Sequence, residues 1–227
     1  MRSHHLPLTL VALAALATTV TAEEYKIEEF REAPPSALSA AIRESLGPQG
    51  YRVLDGEGKV YAEIWLRKAI PASETPAGAK GAILYPFLAV GELLGALRLP
   101  DIGHDNRDQT IAKGVYTLRY GLQPVNGDHL GVSTYRDYAL LLPAAKDTAL
   151  ARVARKPLEE KSAESAGSSH PAILMMVAPK SGAKVPSMAH ETVKDSWAVV
   201  VPLSLDVKGE SRAAQNVQII LIGVFGA

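Results

Sequence analysis

Gly114-Val115-Tyr116-Thr117-Leu118-Arg119-Tyr120-Gly121-Leu122 places Tyr116, Leu118, Tyr120 and Leu122 on one side and Val115, Thr117 and Arg119 on the other. Successive side chains of an extended backbone point to opposite faces, so a period of two predicts a strand with one buried face. Gly114 permits a tight turn into it without a Cβ clash. Pro124 to Asp128 then turns the chain, and Asp137 to Leu142 returns with the run Tyr-Ala-Leu-Leu-Leu. That run does not alternate, which predicts burial on both faces.

The same period holds outward from this centre. Val60, Ala62, Ile64 and Leu66 alternate with Tyr61, Glu63, Trp65 and Arg67, and with Tyr51 to Leu54 they predict a hairpin around Asp55-Gly56-Glu57-Gly58. Strand and helix readings compete over 82–99, which carries Gly91 and Gly95, and Leu94 to Leu99 is read as a strand. Ala172 to Val177, Trp197 to Leu205 and Val217 to Phe225 are rich in β-branched residues and of strand length. Ile70 to Lys80 and Asp101 to Asp108 read as surface loops. Leu38, Ile42 and Leu46 recur at helical spacing after Ser36 and before Gly47-Pro48, which predicts a short helix. A second helix is expected over Thr148 to Arg155, stopped by Pro157, with Leu158 to Ser169 polar and mobile. The expected fold is therefore mainly β: an antiparallel two-sheet β-sandwich over 51–227 with one or two short helices, after an N-terminal extension over 23–50. No βα alternation supports a Rossmann or α/β-barrel fold.

Arg2 precedes an apolar stretch from Leu6 to Val20, and Val20 and Ala22 form a small-residue cleavage site. These features predict a signal peptide over 1–22, leaving Glu23 as the new N-terminus and the protein periplasmic or secreted. No later run is long and apolar enough to predict stable membrane insertion. The 227 residues include no cysteine, so no disulfide framework or lipobox is available. The 24 basic and 24 acidic residues balance and the basic ones are scattered, which argues against a nucleic-acid partner.

Ile111-Ala112-Lys113-Gly114-Val115-Tyr116-Thr117-Leu118, with its Ala-x-Gly-x-Tyr-x-Leu pattern, resembles the strand start of secreted bacterial β-sandwich domains of no assigned activity. The likeness continues through Asp128-His129-Leu130-Gly131-Val132-Ser133, Tyr135 to Tyr138 and Ser169 to Ala172, over about residues 51 to 225. It implies a sandwich fold and export, and carries no mechanism or cofactor.

Candidate chemistry is sparse. His104, His129, His170 and His190 sit in predicted loops, and His104, His129 and His170 are the candidate metal ligands. Their spacing matches no known pattern, and Lys194 stands where a zincin helix would carry its second histidine after His190. Asp101 to Asp108 lacks the ligand offsets of a calcium loop. Gly209-Glu210-Ser211-Arg212-Ala213 starts like a nucleophile elbow but ends in alanine within a hairpin turn. Gly91 to Gly95 is not followed by Gly-Lys-Ser/Thr, so its small residues are read as allowing close packing. Glu63, Asp137 and Asp206 could serve as glycosidase carboxylates, and no pair is assigned.

Tyr61 and Trp65 share a strand face, which has two readings. They form an aromatic platform for a ligand, or the helix from Ser36 to Leu46 covers them. The leading expectation is an exported, non-enzymatic domain binding a ligand or an envelope protein, with Tyr61 and Trp65 as contact residues and no cofactor. The competing one is a metal-dependent hydrolase or metal-binding protein using the loop histidines.

Overall fold

The alternation at Gly114 to Leu122 becomes a strand with those bounds. The computed structural model describes residues 24–125, 133–208 and 211–224. The predicted leader over 1–22 and most of the turn after Pro124 lie outside the described residues. In chain order the elements are β1 (Lys26–Arg31), α1 (Ala40–Ser45), β2 (Leu46–Leu54), β3 (Val60–Arg67), β4 (Ile70–Ala72) and β5 (Leu93–Leu99). There follow β6 (Gly103–His104), β7 (Thr110–Ile111), β8 (Gly114–Leu122), β9 (Asp137–Pro143) and α2 (Arg155–Ser165). The last are β10 (Ile173–Val177), β11 (Ser187–Glu191), β12 (Ser196–Val207) and β13 (Ser211–Ile222).

Ten strands follow one hydrogen-bonded path, β1-β2-β3-β5-β8-β9-β10-β13-β12-β11, and the sheet curls into a half-barrel. Neighbours on this path are antiparallel, while β4 joins β12 in parallel. The chain is mainly β as expected, but the ladder does not divide into two stacked sheets. The reason lies in β10, whose Ile173 to Met175 bond to β9 while Met176 and Val177 bond to β13. One short strand thus carries the ladder across the seam.

Alternate residues of the strands fill the concave side. Tyr116, Leu118 and Tyr120 of β8 meet Leu174 and Met176 of β10, Val199 to Leu205 of β12 at every second position, and Val217, Ile219 and Leu221 of β13. On the convex side Tyr138, Leu140 and Leu142 lie beneath Leu158 of α2, so the continuous apolar run of β9 is buried on both faces. Leu38, Ile42 and Leu46 cover Trp65 of β3 and Leu93 and Ala96 of β5.

Several boundaries differ from expectation. The first helix is capped by Ser39, not Ser36, and β2 begins at Leu46 so that Gly47 and Pro48 lie within a strand, where the ladder is irregular. The second helix runs over Arg155–Ser165 instead of 148–155. Pro157 sits in its first turn, where the missing N–H has no intrahelical partner to lose. Leu158, Ser162 and Ser165 are its buried face, and the two serines bond to the carbonyls of Ala172 and Leu141 at 3.0 and 2.8 Å. The N-terminal extension is part of the sheet, since β1 pairs with β2 from Lys26↔Leu54 to Arg31↔Gln49.

Across β1, β2, β3 and β5, Glu28, Arg52, Glu63 and Arg98 fall opposite one another and form a row of alternating charge. Glu63 is fully buried and accepts from Arg52 Nε at 2.9 Å and Arg98 Nε at 2.5 Å. Hydrogen bonding to Glu63 raises the pKa of Arg52 above its ordinary value, so the guanidinium stays charged.

Burial raises the pKa of five tyrosines among the described residues, Tyr51 and Tyr116 less than the other three, and gives the fold a pH limit. Burial pushes the Tyr138 hydroxyl up to about 12. Burial also drives Tyr85 and Tyr120 upward, Tyr120 further because Asp137 stands beside it. The folded state therefore holds phenolic protons that the unfolded chain releases near pH 10, and the associated stability is full below that pH. Each such tyrosine should remove about 1.4 kcal/mol per pH unit above it, until the pH reaches its folded value. An alkaline titration should show tyrosinate absorbance from these three only together with loss of β-sheet circular dichroism. Smooth ionisation in a folded protein would contradict their burial.

Candidate functional site

The two proposed aromatic contact residues do not form a platform. Trp65 is 2% exposed: the Phe30 ring meets it edge-on at 5.2 Å, α1 lies over it, and its indole N–H donates to the Glu32 carbonyl at 3.1 Å. Tyr61 is half-buried and turns to the concave core, 5.6 Å from the Tyr25 ring, with its hydroxyl 3.4 Å from the Leu221 carbonyl. The first helix covers Trp65 alone, because Tyr61 turns to the opposite side of the sheet. An indole on the convex side would leave a large apolar area in water unless a second layer lay over it.

The described histidines make separate local contacts. His104 pairs with Asp108 at 3.2 Å, and His190 pairs with Asp195 at 2.9 Å while stacking on Trp197 at 4.2 Å. His170 is exposed, with its backbone N–H on Ser168 Oγ. His129 lies outside the described residues. Among the described residues, no three histidine, aspartate or glutamate side chains gather as metal ligands.

The Asp101 to Asp108 loop is committed to structure. Asp105 is buried and accepts from the backbone of Arg107, Gln109 and Ile173 and from the Gln109 amide. Asn106 accepts from the Met175 N–H at 2.6 Å and donates to the Gly223 carbonyl at 3.1 Å. These side chains satisfy the edge of β10 that faces away from β9, where an added strand would otherwise pair.

A different site emerges beside β4. A cleft of 480 Å³ opens between Pro71, Ala72 and Ser73 on one side and Pro86, Phe87, Leu88 and Ala89 on another, with Glu92 and Arg152 completing it. Its volume lies within the usual range for small-molecule sites. Most of the lining is irregular backbone, yet each wall is held by polar bonds, buried ones at Asp137 and Arg119 and a part-buried one at Ser73.

Asp137 of β9 accepts from the N–H groups of Leu84 and Tyr85 at 2.7 and 2.9 Å and from the Tyr120 hydroxyl at 2.6 Å, and so sets the path into Pro86. Ser73 donates through its N–H and its hydroxyl to the Phe87 carbonyl at 3.0 and 3.3 Å, joining two walls. The third wall hangs on Arg119. That guanidinium is fully buried, gives Asp147 two bonds at 2.6 and 2.9 Å, and donates to the carbonyls of Gly91, Ala149 and Ala151 at 2.8, 2.5 and 3.0 Å. All five guanidinium N–H groups are thereby used. Thr117 Oγ1 adds a bond of 2.5 Å to Asp147. Val153 N–H donates to the Gly91 carbonyl at 3.2 Å, so both neighbours of Arg152 are tied down.

Glu92 is nearly buried and bonds Arg67 at 2.5 Å. Arg152 is exposed and has no hydrogen-bond or ion-pair partner among the described residues. Gly91 and Gly95 serve close packing as expected. At Gly91 φ is +87°, and a Cβ would overlap the Val153 carbonyl; at Gly95 it would overlap the Trp65 carbonyl.

Sequence reading missed this cleft. Its one signal was Arg119, a charged residue within an otherwise apolar strand, since a buried arginine requires partners. No family model, curated protein or solved structure matches this chain.

Proposed function

We propose that the protein is an exported, non-enzymatic β domain that binds a small ligand in the cleft beside β4. The observation carrying this reading is the use of side-chain hydrogen bonds, those of Asp137, Arg119 and Asp147 buried, to brace irregular backbone. Asp137, Ser73 and the Arg119–Asp147 pair hold three separate segments in one fixed arrangement around an open volume. A surface loop needs no such bracing to fold, whereas a binding site gains affinity from walls ordered before the ligand arrives. Export is supported by the leader pattern of Met1 to Ala22. No helix among the described residues is long and apolar enough to cross a membrane.

Protein recovered from the cell envelope fraction should begin at Glu23. A low-molecular-weight envelope extract should raise its melting temperature, because ligand at a hundredfold excess over its Kd stabilises by about 2.7 kcal/mol. Ala89→Phe should fold and lose that response, as Ala89 is half-exposed and lines the cleft. An equal response in both proteins would place binding elsewhere, and an N-terminus at Met1 would remove export.

A further inference from the structure

We infer that the cleft selects a ligand with an apolar body ending in a single carboxylate, and that Arg152 is the residue that recognises it. The inference rests on the cleft being the binding site. It is drawn from charge and from constraint. Pro71, Pro86, Leu88 and Ala89 present an apolar lining. Two charged residues line it, and they are not equivalent: Glu92 is held by Arg67, whereas the exposed Arg152 has no side-chain partner among the described residues.

An arginine normally gains flexibility from a mobile loop, but here the backbone on both sides is fixed. The Ala151 carbonyl accepts from buried Arg119, and the Val153 N–H donates to Gly91. The position of the Arg152 backbone is therefore set before binding, and only its side chain remains to be ordered. Its planar fork of donors matches a carboxylate in two parallel bonds. Arg67, Glu92 and Arg152 together leave one positive charge at the cleft, which one carboxylate neutralises. A dianionic phosphate ester would leave excess negative charge beside Glu92, and an ammonium group would face Arg152 unpaired.

Octanoate, octanol, octylammonium and octyl phosphate separate these possibilities by isothermal titration of the mature protein. Octanoate should bind at least about tenfold more tightly than octanol, as a charge-assisted pair predicts, with octylammonium weakest and octyl phosphate below octanoate. Arg152→Ala should remove the preference for octanoate over octanol, and Arg152→Lys should retain part of it. Circular dichroism of both variants should match the parent, since the side chain is exposed. Equal binding of octanoate and octanol, both lost in Ala89→Phe, would overturn carboxylate selection and leave the cleft as the site. A preference that persists in Arg152→Ala would overturn the role of Arg152. Octanoate binding that survives Ala89→Phe, or no saturable binding of any probe, would overturn the inference, and the second outcome would also count against the cleft.

Discussion

Asp147→Ala is expected to destabilise the protein by about 3–5 kcal/mol, the range for removing one partner of a buried ion pair. The melting temperature should fall by roughly 10 °C for a domain of this size. The cause is what the substitution leaves behind. Arg119 is fully enclosed, cannot release its proton, and would keep two N–H groups without acceptors. Replacing both residues, as Arg119→Met with Asp147→Leu, should be less harmful than Asp147→Ala alone because no charge is then stranded. It should still loosen the 149–153 loop, whose carbonyls lose their donor. Urea unfolding of the two single variants and the double variant gives the coupling directly. A loss below about 1 kcal/mol for Asp147→Ala would be the value of an exposed pair and would contradict the enclosed geometry.

Gly91→Ala should be comparably severe, by about 4 kcal/mol, because two penalties coincide. The φ of +87° is unfavourable for a residue with a side chain, and the added methyl would overlap the Val153 carbonyl, a backbone atom that cannot rotate away. Relief requires parting Gly91 from Val153, which breaks the bond between them and shifts Arg152. A variant that folds at all should therefore show weakened binding at the cleft. Wild-type stability and binding together would mean that the two segments do not meet. Gly58→Ala supplies the contrast, since φ there is also positive but nothing lies within reach of a Cβ.

The strands with clean periodicity were legible from sequence because alternation is written into the residues themselves. The arm from Val60, the strand from Gly114 and the returning strand at Asp137 all lie where pattern reading put them. Strands whose burial is set by neighbours were not legible. Lys26 to Arg31 is mostly charged, yet it forms an edge strand because β2 supplies its hydrogen bonds and Arg52 its counter-charge. The second helix was misplaced because proline was taken as its end when it stands in its first turn. Its buried face is largely serine, which leaves no apolar stripe to detect. The cleft failed for a related reason: its walls come from segments far apart in sequence, and its bracing is polar. The aromatic pair was visible as residues, but exposure depends on what lies above a strand: the first helix covers Trp65, and Tyr61 turns into the concave core.

The short parallel strand from Ile70 to Ala72 lies along Leu205 to Val207, over half the chain away. Closing so long a loop is entropically slow, so hairpins between adjacent strands will assemble well before this contact does. The first wall of the cleft acquires its support only when residues 205–207, near the end of the chain, are in place. Because β13, which joins β10 to β12, also comes from this last stretch, a product truncated before residue 205 would lose the continuity of the ladder together with the support of the cleft.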